Sequence, residues 1–362
     1  MKTSKSVIFV FVFALAIALA GITPAPAKAL MKVRFAFGTP TVQVLALNIA
    51  IGKYLGYYEE EGIDFNILAA GSNTATMQGL ATGKFDMGVF VPATILPLAA
   101  KGSAPPFVAF YNYTPKFKYD FVTKPGSDIK SVEQLKGKII GIPKLGHSSN
   151  PVVRAVLRQH NIDPEKDVRI VVAGYGPTAG DMIKRGKIDA FFAGDTDFGR
   201  IEAVGFKLQH MGYKVAGDLK GIAGFYLGAT ENFIKSNPKA CVGVGRAVAK
   251  ATVFALANLP MAAEAFLKLY PTAVAKGKTR KEAIADIVHI IGARSKNWVR
   301  EDVKPHKWGI MLKQDFENER KFLKLEDKLP DLSKFYTNQF IDEINNFDAE
   351  KIRHQAKNFK LK

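Results

Sequence analysis

The chain has 362 residues, is 48% hydrophobic and 23% charged, and carries a formal net charge of +18. That composition excludes disordered, fibrous and multi-span membrane classes, and the length favours two lobes over one core. Its one cysteine, Cys241, excludes an internal disulfide, a four-cysteine zinc site and an iron–sulfur cluster.

The first residues read as a targeting segment. Lys2 and Lys5 precede an unbroken apolar run over 7–20, too short to span a bilayer comfortably. Gly21, Pro24 and Pro26 follow, then Ala27-Lys28-Ala29, an A-x-A cleavage site. Residues 1–29 are therefore expected to be a secretory signal, with the mature chain exported, soluble and without a direct membrane anchor. No cysteine at the cleavage site offers a lipid attachment point.

Charge is uneven along the mature chain. Residues 30–112 hold five basic and five acidic side chains, residues 113–220 hold 18 and 12, and residues 221–362 hold 25 and 16. The densest basic run, Lys276, Lys278, Arg280 and Lys281, has no interleaved aromatics. Nucleic-acid binding is therefore not expected. A solvated basic surface, or attraction of an anionic ligand or acidic partner, accounts for the excess.

In chain order, strands are expected over 33–37, 63–68, 85–90 and 107–111. They alternate with helices over 42–54 and 74–81 and one starting at 91–94. The rhythm restarts with strands over 119–123, 138–142, 168–173 and 188–193, with helices over 132–135 and 152–160 and another running to Arg185. Short strands alternating with helices indicate parallel sheets flanked by helices, here in two successive α/β lobes. After a last strand over 222–229, helical periodicity dominates 238–269, 280–293, 308–325 and 332–357. This tail is expected to pack back on the first lobe. Gly62 and Gly83 read as helix-terminating glycines before strands, and Asp86 and Asp189 as loop pins or caps.

Several segments resemble one family. Lys53-Tyr54-Leu55-Gly56-Tyr57-Tyr58-Glu59-Glu60-Glu61-Gly62-Ile63 is similar to a "GYF-x-EEG-[LI]" segment, and Leu80-Ala81-Thr82-Gly83-Lys84-Phe85-Asp86-Met87-Gly88 to "L-x-x-G-x-x-D-x-G". Ser131-Val132-Glu133-Gln134-Leu135-Lys136-Gly137-Lys138, followed by Gly141-Ile142-Pro143, resembles "s-x-x-D-L-K-G-K-x-I-G-V". Ile183-Lys184-Arg185-Gly186-Lys187-Ile188-Asp189-Ala190 matches "L-x-x-G-x-V-D-A", and Tyr336-Thr337-Asn338 a late "y-T-N". These segments, in order from residue 33 to about 340, resemble the periplasmic substrate-binding proteins of ABC importers for sulfonates, nitrate, thiamine-precursor pyrimidines and aromatic acids. The resemblance implies a bilobed type II periplasmic-binding-protein fold: two α/β lobes, a two-segment hinge, and the helical tail on the first lobe. Lobe 1 is expected over 30–112 and 225–362, lobe 2 over 113–224, with crossings near 111–120 and 221–228. It also implies a monomer that captures a small-molecule ligand, closes about its hinge and delivers the ligand to a permease, without a cofactor or metal.

Ligands of parallel sheets lie beyond the carboxyl ends of the strands. The expected cleft loops are 39–43, 71–74 and 91–94 from the first lobe, and 145–150, 175–178 and 194–197 from the second. They supply Thr39, Thr41, Gln43, Ser72, Asn73 and Thr94, then His147, Ser148, Ser149, Tyr175, Asp195 and Asp197. Helix N-termini there favour an anion, and Gly146-His147-Ser148-Ser149-Asn150 is the strongest candidate, although an ordinary N-cap needs only one of its side chains. Tyr111, Tyr113, Tyr175 and Tyr226 suit stacking on a planar ligand or filling the core. Asp195 and Asp197 suit an amine or hydroxyl, or a helix cap. No catalytic triad, H-E-x-x-H or phosphate loop is present in the sequence. An organic anion is the preferred ligand. A ligand-sensing module for a membrane receptor and a pyrimidine-forming, iron-dependent enzyme are the alternatives, the latter disfavoured by the lone cysteine.

Overall fold

The computed structural model describes residues 29–103, 107–213, 222, 224–274, 277–329 and 331–361. The expected leader over 1–28, Gly221 of the second crossing, residue 223 of the last expected strand and Lys276 of the basic run lie outside them.

Ten strands form two five-stranded sheets. The first contains β1 (Met31–Phe37), β2 (Ile63–Ala69), β3 (Met87–Phe90), β4 (Phe107–Thr114) and β10 (Phe225–Thr230), in the order β2-β1-β3-β10-β4. The second contains β5 (Tyr119–Thr123), β6 (Ile139–Ile142), β7 (Arg169–Val172), β8 (Ala190–Gly194) and β9 (Gln209–His210), in the order β7-β6-β8-β5-β9. In each sheet three strands run parallel, and the fourth position is antiparallel to both neighbours. That fourth strand is the one next to a crossing, β5 in one sheet and β10 in the other.

The crossings lie side by side. Four residues separate β4 from β5, and the Gly224 N–H donates to the Thr114 carbonyl at 2.7 Å. Lys118 Nζ, on the first crossing, donates to the Gly224 carbonyl at 3.3 Å.

The helices used below are α1 (Leu47–Tyr54), α2 (Asn73–Ala81), α3 (Pro92–Ala100), α4 (Ser149–Gln159), α5 (Pro177–Lys184), α6 (Asp195–Glu202), α7 (Pro238–Ala257), α8 (Leu259–Leu269), α9 (Arg280–Ser295), α10 (Lys313–Phe322) and α11 (Ala349–Asn358). Gly62 and Gly83 take φ of +74° and +70°, turning the chain from a helix into β2 and toward β3. A side chain would strain that left-handed backbone. Asp86 accepts from the Arg34 main chain and guanidinium, and Asp189 accepts from the Ile139 N–H at 2.7 Å. Both pin the approach to a strand.

The tail departs from its periodicity in three places. The expected run over 238–269 breaks at Asn258, whose side chain accepts from the Met261 N–H, with Pro260 in the first turn of α8. Residues 308–312 are not helical: Gly309 bridges to Asn112 of β4, so the helix begins at Lys313. The run over 332–357 becomes three pieces, Ser333–Phe335, Ile341–Ile344 and α11. There Asn338 and Asn345 spend their amides on the main chain of Met311 and Trp308, and Asp348 caps α11. Helix α7 is long and apolar enough to cross a membrane, yet most of it is buried within the fold against α1, α8 and α11. Helix α9 reaches the second lobe instead of only the first, packing on α6, where Gly199 admits the Ile290 main chain.

Candidate functional site

The carboxyl ends of the parallel strands in the two sheets face one another through loops and helix N-termini. On the first lobe, the Thr39 hydroxyl donates to the Thr41 carbonyl at 2.6 Å and closes the turn after β1. Ser72 caps α2 by accepting from the Ala75 N–H at 3.1 Å. Asn73 is buried against Gly38, and Thr41 is exposed. At the start of α3, the Thr94 hydroxyl is buried without a hydrogen-bond partner.

The second lobe presents titratable groups. His147 Nδ1 accepts from the Ser149 N–H at 3.1 Å and lies 2.9 Å from Ser149 Oγ. A ring nitrogen accepting a main-chain N–H carries no proton, so the neutral ring holds its proton on Nε2. Burial, with Lys118 nearby, lowers the His147 pKa, while Asp197 opposes the shift. The imidazole is thus a neutral donor at pH 7. Its ring meets Tyr175 edge-on at 5.9 Å, and the Arg200 guanidinium lies 5.8 Å from the same tyrosine ring. The Tyr175 hydroxyl is buried and unpartnered, and burial pushes its pKa up to about 12. Asp197 Oδ2 accepts from the Gly194 N–H at 3.2 Å, fixing the start of α6.

The lobes touch across this gap. Arg200 Nη1 donates to Gln43 Oε1 at 2.9 Å, and Lys144 Nζ lies 3.4 Å from the Gly71 carbonyl. A Cβ on Gly146 would sit 3.2 Å from Ser72 Oγ.

Behind these loops the first crossing meets α10, where Lys118 acts on both His147 and Glu319. Lys118, 6% exposed, lies 4.0 Å from the Tyr119 ring centroid and 3.4 Å from that of Phe225. Its pKa is lowered by burial and by Arg294. Glu319 of α10, 2% exposed, has Oε2 buried without a partner. The Ala93 N–H of α3 bonds to its carboxyl. Burial pushes the Glu319 pKa up to about 8 despite Lys118, with Asp315 adding to the rise.

Several expected contacts are otherwise engaged. The Ser148 hydroxyl, fully buried, accepts from the Tyr119 hydroxyl at 2.8 Å, and Ser149 Oγ is held by His147. Ser149 orients the imidazole and Ser148 ties α4 to β5; the Ser149 hydroxyl is spent on His147, while Ser148, an acceptor from Tyr119, keeps its own O–H for a further partner. The Asp195 carboxylate is engaged within the protein. It accepts from Arg294 Nε and from Asn297 Nδ2 at 2.9 Å each, because α9 delivers a buried arginine that needs a countercharge. Tyr111 packs beside Gly309 and Gly245 beneath the C-terminal helices. Tyr226 lies among Phe90 and Phe316. Both are core residues. Tyr113 stacks on Phe225 at 5.6 Å, with its hydroxyl buried beside Thr114 and near Arg294. Of the expected residues, Gln43 and Ser72 meet the other lobe directly, at Arg200 and Gly146, and His147 and Tyr175 lie together beside Arg200.

Arg200, Lys118 and Glu319 escaped the sequence reading. Arg200 lies one helical turn after Asp197, where spacing could have indicated it. Nothing local indicates Glu319, which is brought in by the tail.

The family model described as "NMT1/THI5 like" matches residues 46–263. YtlA, named as a binding protein in Bacillus subtilis, is 27% identical over 140 residues, covering 39% of this chain and 41% of that one. The 4-amino-5-hydroxymethyl-2-methylpyrimidine phosphate synthase of Schizosaccharomyces pombe is 34% identical over 95 residues, 26% of this chain and 27% of that one. The matched stretches thus span well under half of these curated relatives. The periplasmic aliphatic sulphonate binding protein SsuA of Escherichia coli superposes with a TM-score of 0.61 at 15% identity, covering 90% of this chain and 99% of that one. The fold is that of the periplasmic binding proteins.

Proposed function

This chain belongs to the NMT1/THI5-like family, and on that footing we propose that it is a periplasmic solute-binding protein feeding an ABC importer. It takes a small organic anion between its lobes, 30–112 with 225–362 and 113–224, and closes about the paired crossings near 111–120 and 221–228, where Gly224 meets Thr114. One observation carries the reading. The Tyr175 hydroxyl, buried without a partner among the described residues, and the His147 ring, whose Nδ1 is occupied so that Nε2 carries the proton, stand beside Arg200 at the point where Arg200 bridges to Gln43 of the other lobe. Such a constellation suits an acid group, whose hydrogen bonds to charged or polar donors are the strong ones. The sulphonate bound by SsuA fits the same ligand class.

The synthase likeness favours an enzyme less. Cys241 is buried in α7 and its thiol is pushed up to about 12 by burial, which suits packing and not metal ligation.

The test uses refolded, ligand-free mature protein in a thermal-shift screen of sulfonates, nitrate, carboxylates and thiamine-precursor pyrimidines. A ligand at a hundred times its Kd adds about 2.7 kcal/mol of stability. Stabilisation by one anion class, with a smaller radius of gyration in solution scattering, is expected. An unchanged radius at saturation would refute closure, and a flat panel would refute the ligand class.

A further inference from the structure

The start of α3 and the inner face of α10 leave two buried polar atoms without partners among the described residues, Thr94 Oγ1 and Glu319 Oε2. They belong to one place, because the Ala93 N–H, one residue before Thr94, bonds to the Glu319 carboxyl. No described cation forms an ion pair with Glu319. Lys118, the basic group that acts on it, donates to the Gly224 carbonyl and lies over two aromatic rings. The remaining charged or titratable neighbours are Asp315 on α10, Tyr119 on β5 and Tyr226 on β10, none of which is a cation.

A buried carboxyl oxygen with no donor is a costly feature. Position 319 shares its helix face with Phe316 and Phe322, both buried, so an apolar residue would fit the pattern. The carboxyl and the neighbouring hydroxyl can both accept, and Lys118 acts electrostatically on Glu319 and on the donor His147 alike, so the acceptors and that donor gather about one lysine. We propose that Glu319 and Thr94 receive an amino group, so that the solute is a small zwitterion whose acid end meets the second lobe. This rests on the solute-binding reading above and specifies its ligand. Because its pKa stands at about 8, Glu319 is largely protonated at pH 7 before binding. On meeting an ammonium group it ionises, and its proton leaves to solvent.

The experiment pairs amino acids with their des-amino partners on the refolded mature protein: β-alanine with propionate, 4-aminobutyrate with butyrate, 2-aminoethanesulfonate with ethanesulfonate. Calorimetry in buffers of different ionisation enthalpy should show at least one amino compound binding about tenfold or more tighter than its partner, with proton release. Glu319→Gln and Thr94→Val should each shrink that preference, while the ligand-free melting temperature of Glu319→Gln does not fall. Des-amino compounds binding as well as their partners would overturn the zwitterion and leave the anion-binding reading standing. Variants that keep the wild-type preference would overturn the assignment to these two residues. No binding by either series would count against both readings.

Discussion

The two sheets share an order and differ in what covers them. The first lobe carries α7, α8 and α11 on its flank, and its cleft loops are closed by their own hydrogen bonds, Thr39 to Thr41 and Ser72 to Ala75. The second lobe lacks that cladding, and its cleft loops carry His147, Tyr175, Asp197 and Arg200. The first lobe's loops spend these hydroxyls on their own turns, while the second lobe's loops carry the charged and titratable side chains. A duplicated topology therefore does not duplicate the chemistry, since strand order fixes where loops emerge and leaves the side chains on them free.

The sharpest way to break the contrast is at Arg294, which α9 inserts beside Asp195 of the second lobe. Arg294→Met should cost about 3–5 kcal/mol in urea unfolding by stranding a carboxylate. Arg294→Met with Asp195→Asn should recover much of that loss. An equal loss in single and double variants would show that the pair does not hold α9 to α6.

Glu319 follows. Its folded pKa of about 8 lies above the ordinary carboxyl value of 4.5, so the folded protein keeps a proton that the unfolded chain loses across that window. Stability from this group is thus full at low pH and lost as pH rises toward and through 8. Glu319→Gln should flatten the fall and gain about 1–3 kcal/mol near pH 8, read from melting curves between pH 5 and 9.

Smaller again is the bridge between lobes. Arg200→Ala removes the Gln43 contact and one cation from the cleft. Anion affinity should fall several-fold, since a partly exposed contact of this kind contributes about 1 kcal/mol. Isothermal titration with the screen's best ligand measures it. As a control, Asp181→Asn breaks an exposed pair with Arg185 on α5 and should leave the melting temperature unchanged.

Much of the scaffold was legible because its signals are local. Gly62 and Gly83 end helices wherever they fall, and the apolar run of β1 is a strand by composition. The site was less so. Ser148 and Ser149 sit at a helix start as expected, yet Ser148 Oγ accepts from Tyr119 and Ser149 Oγ is held by His147, and that partnership depends on how α4 packs beside β5. Likewise the acceptors on Asp195 are spoken for by a residue 99 positions away.

The sequence by itself determined the element order, the two lobes and the loops that border the cleft, because periodicity, glycine and proline act over a few residues. Only the tertiary structure decided which polar groups face that cleft unpaired. Burial and hydrogen-bond competition are properties of the packed chain, and they turn Asp195 into an anchor for Arg294 and leave Glu319, from the far tail, buried beside Ala93 with one oxygen unpartnered among the described residues.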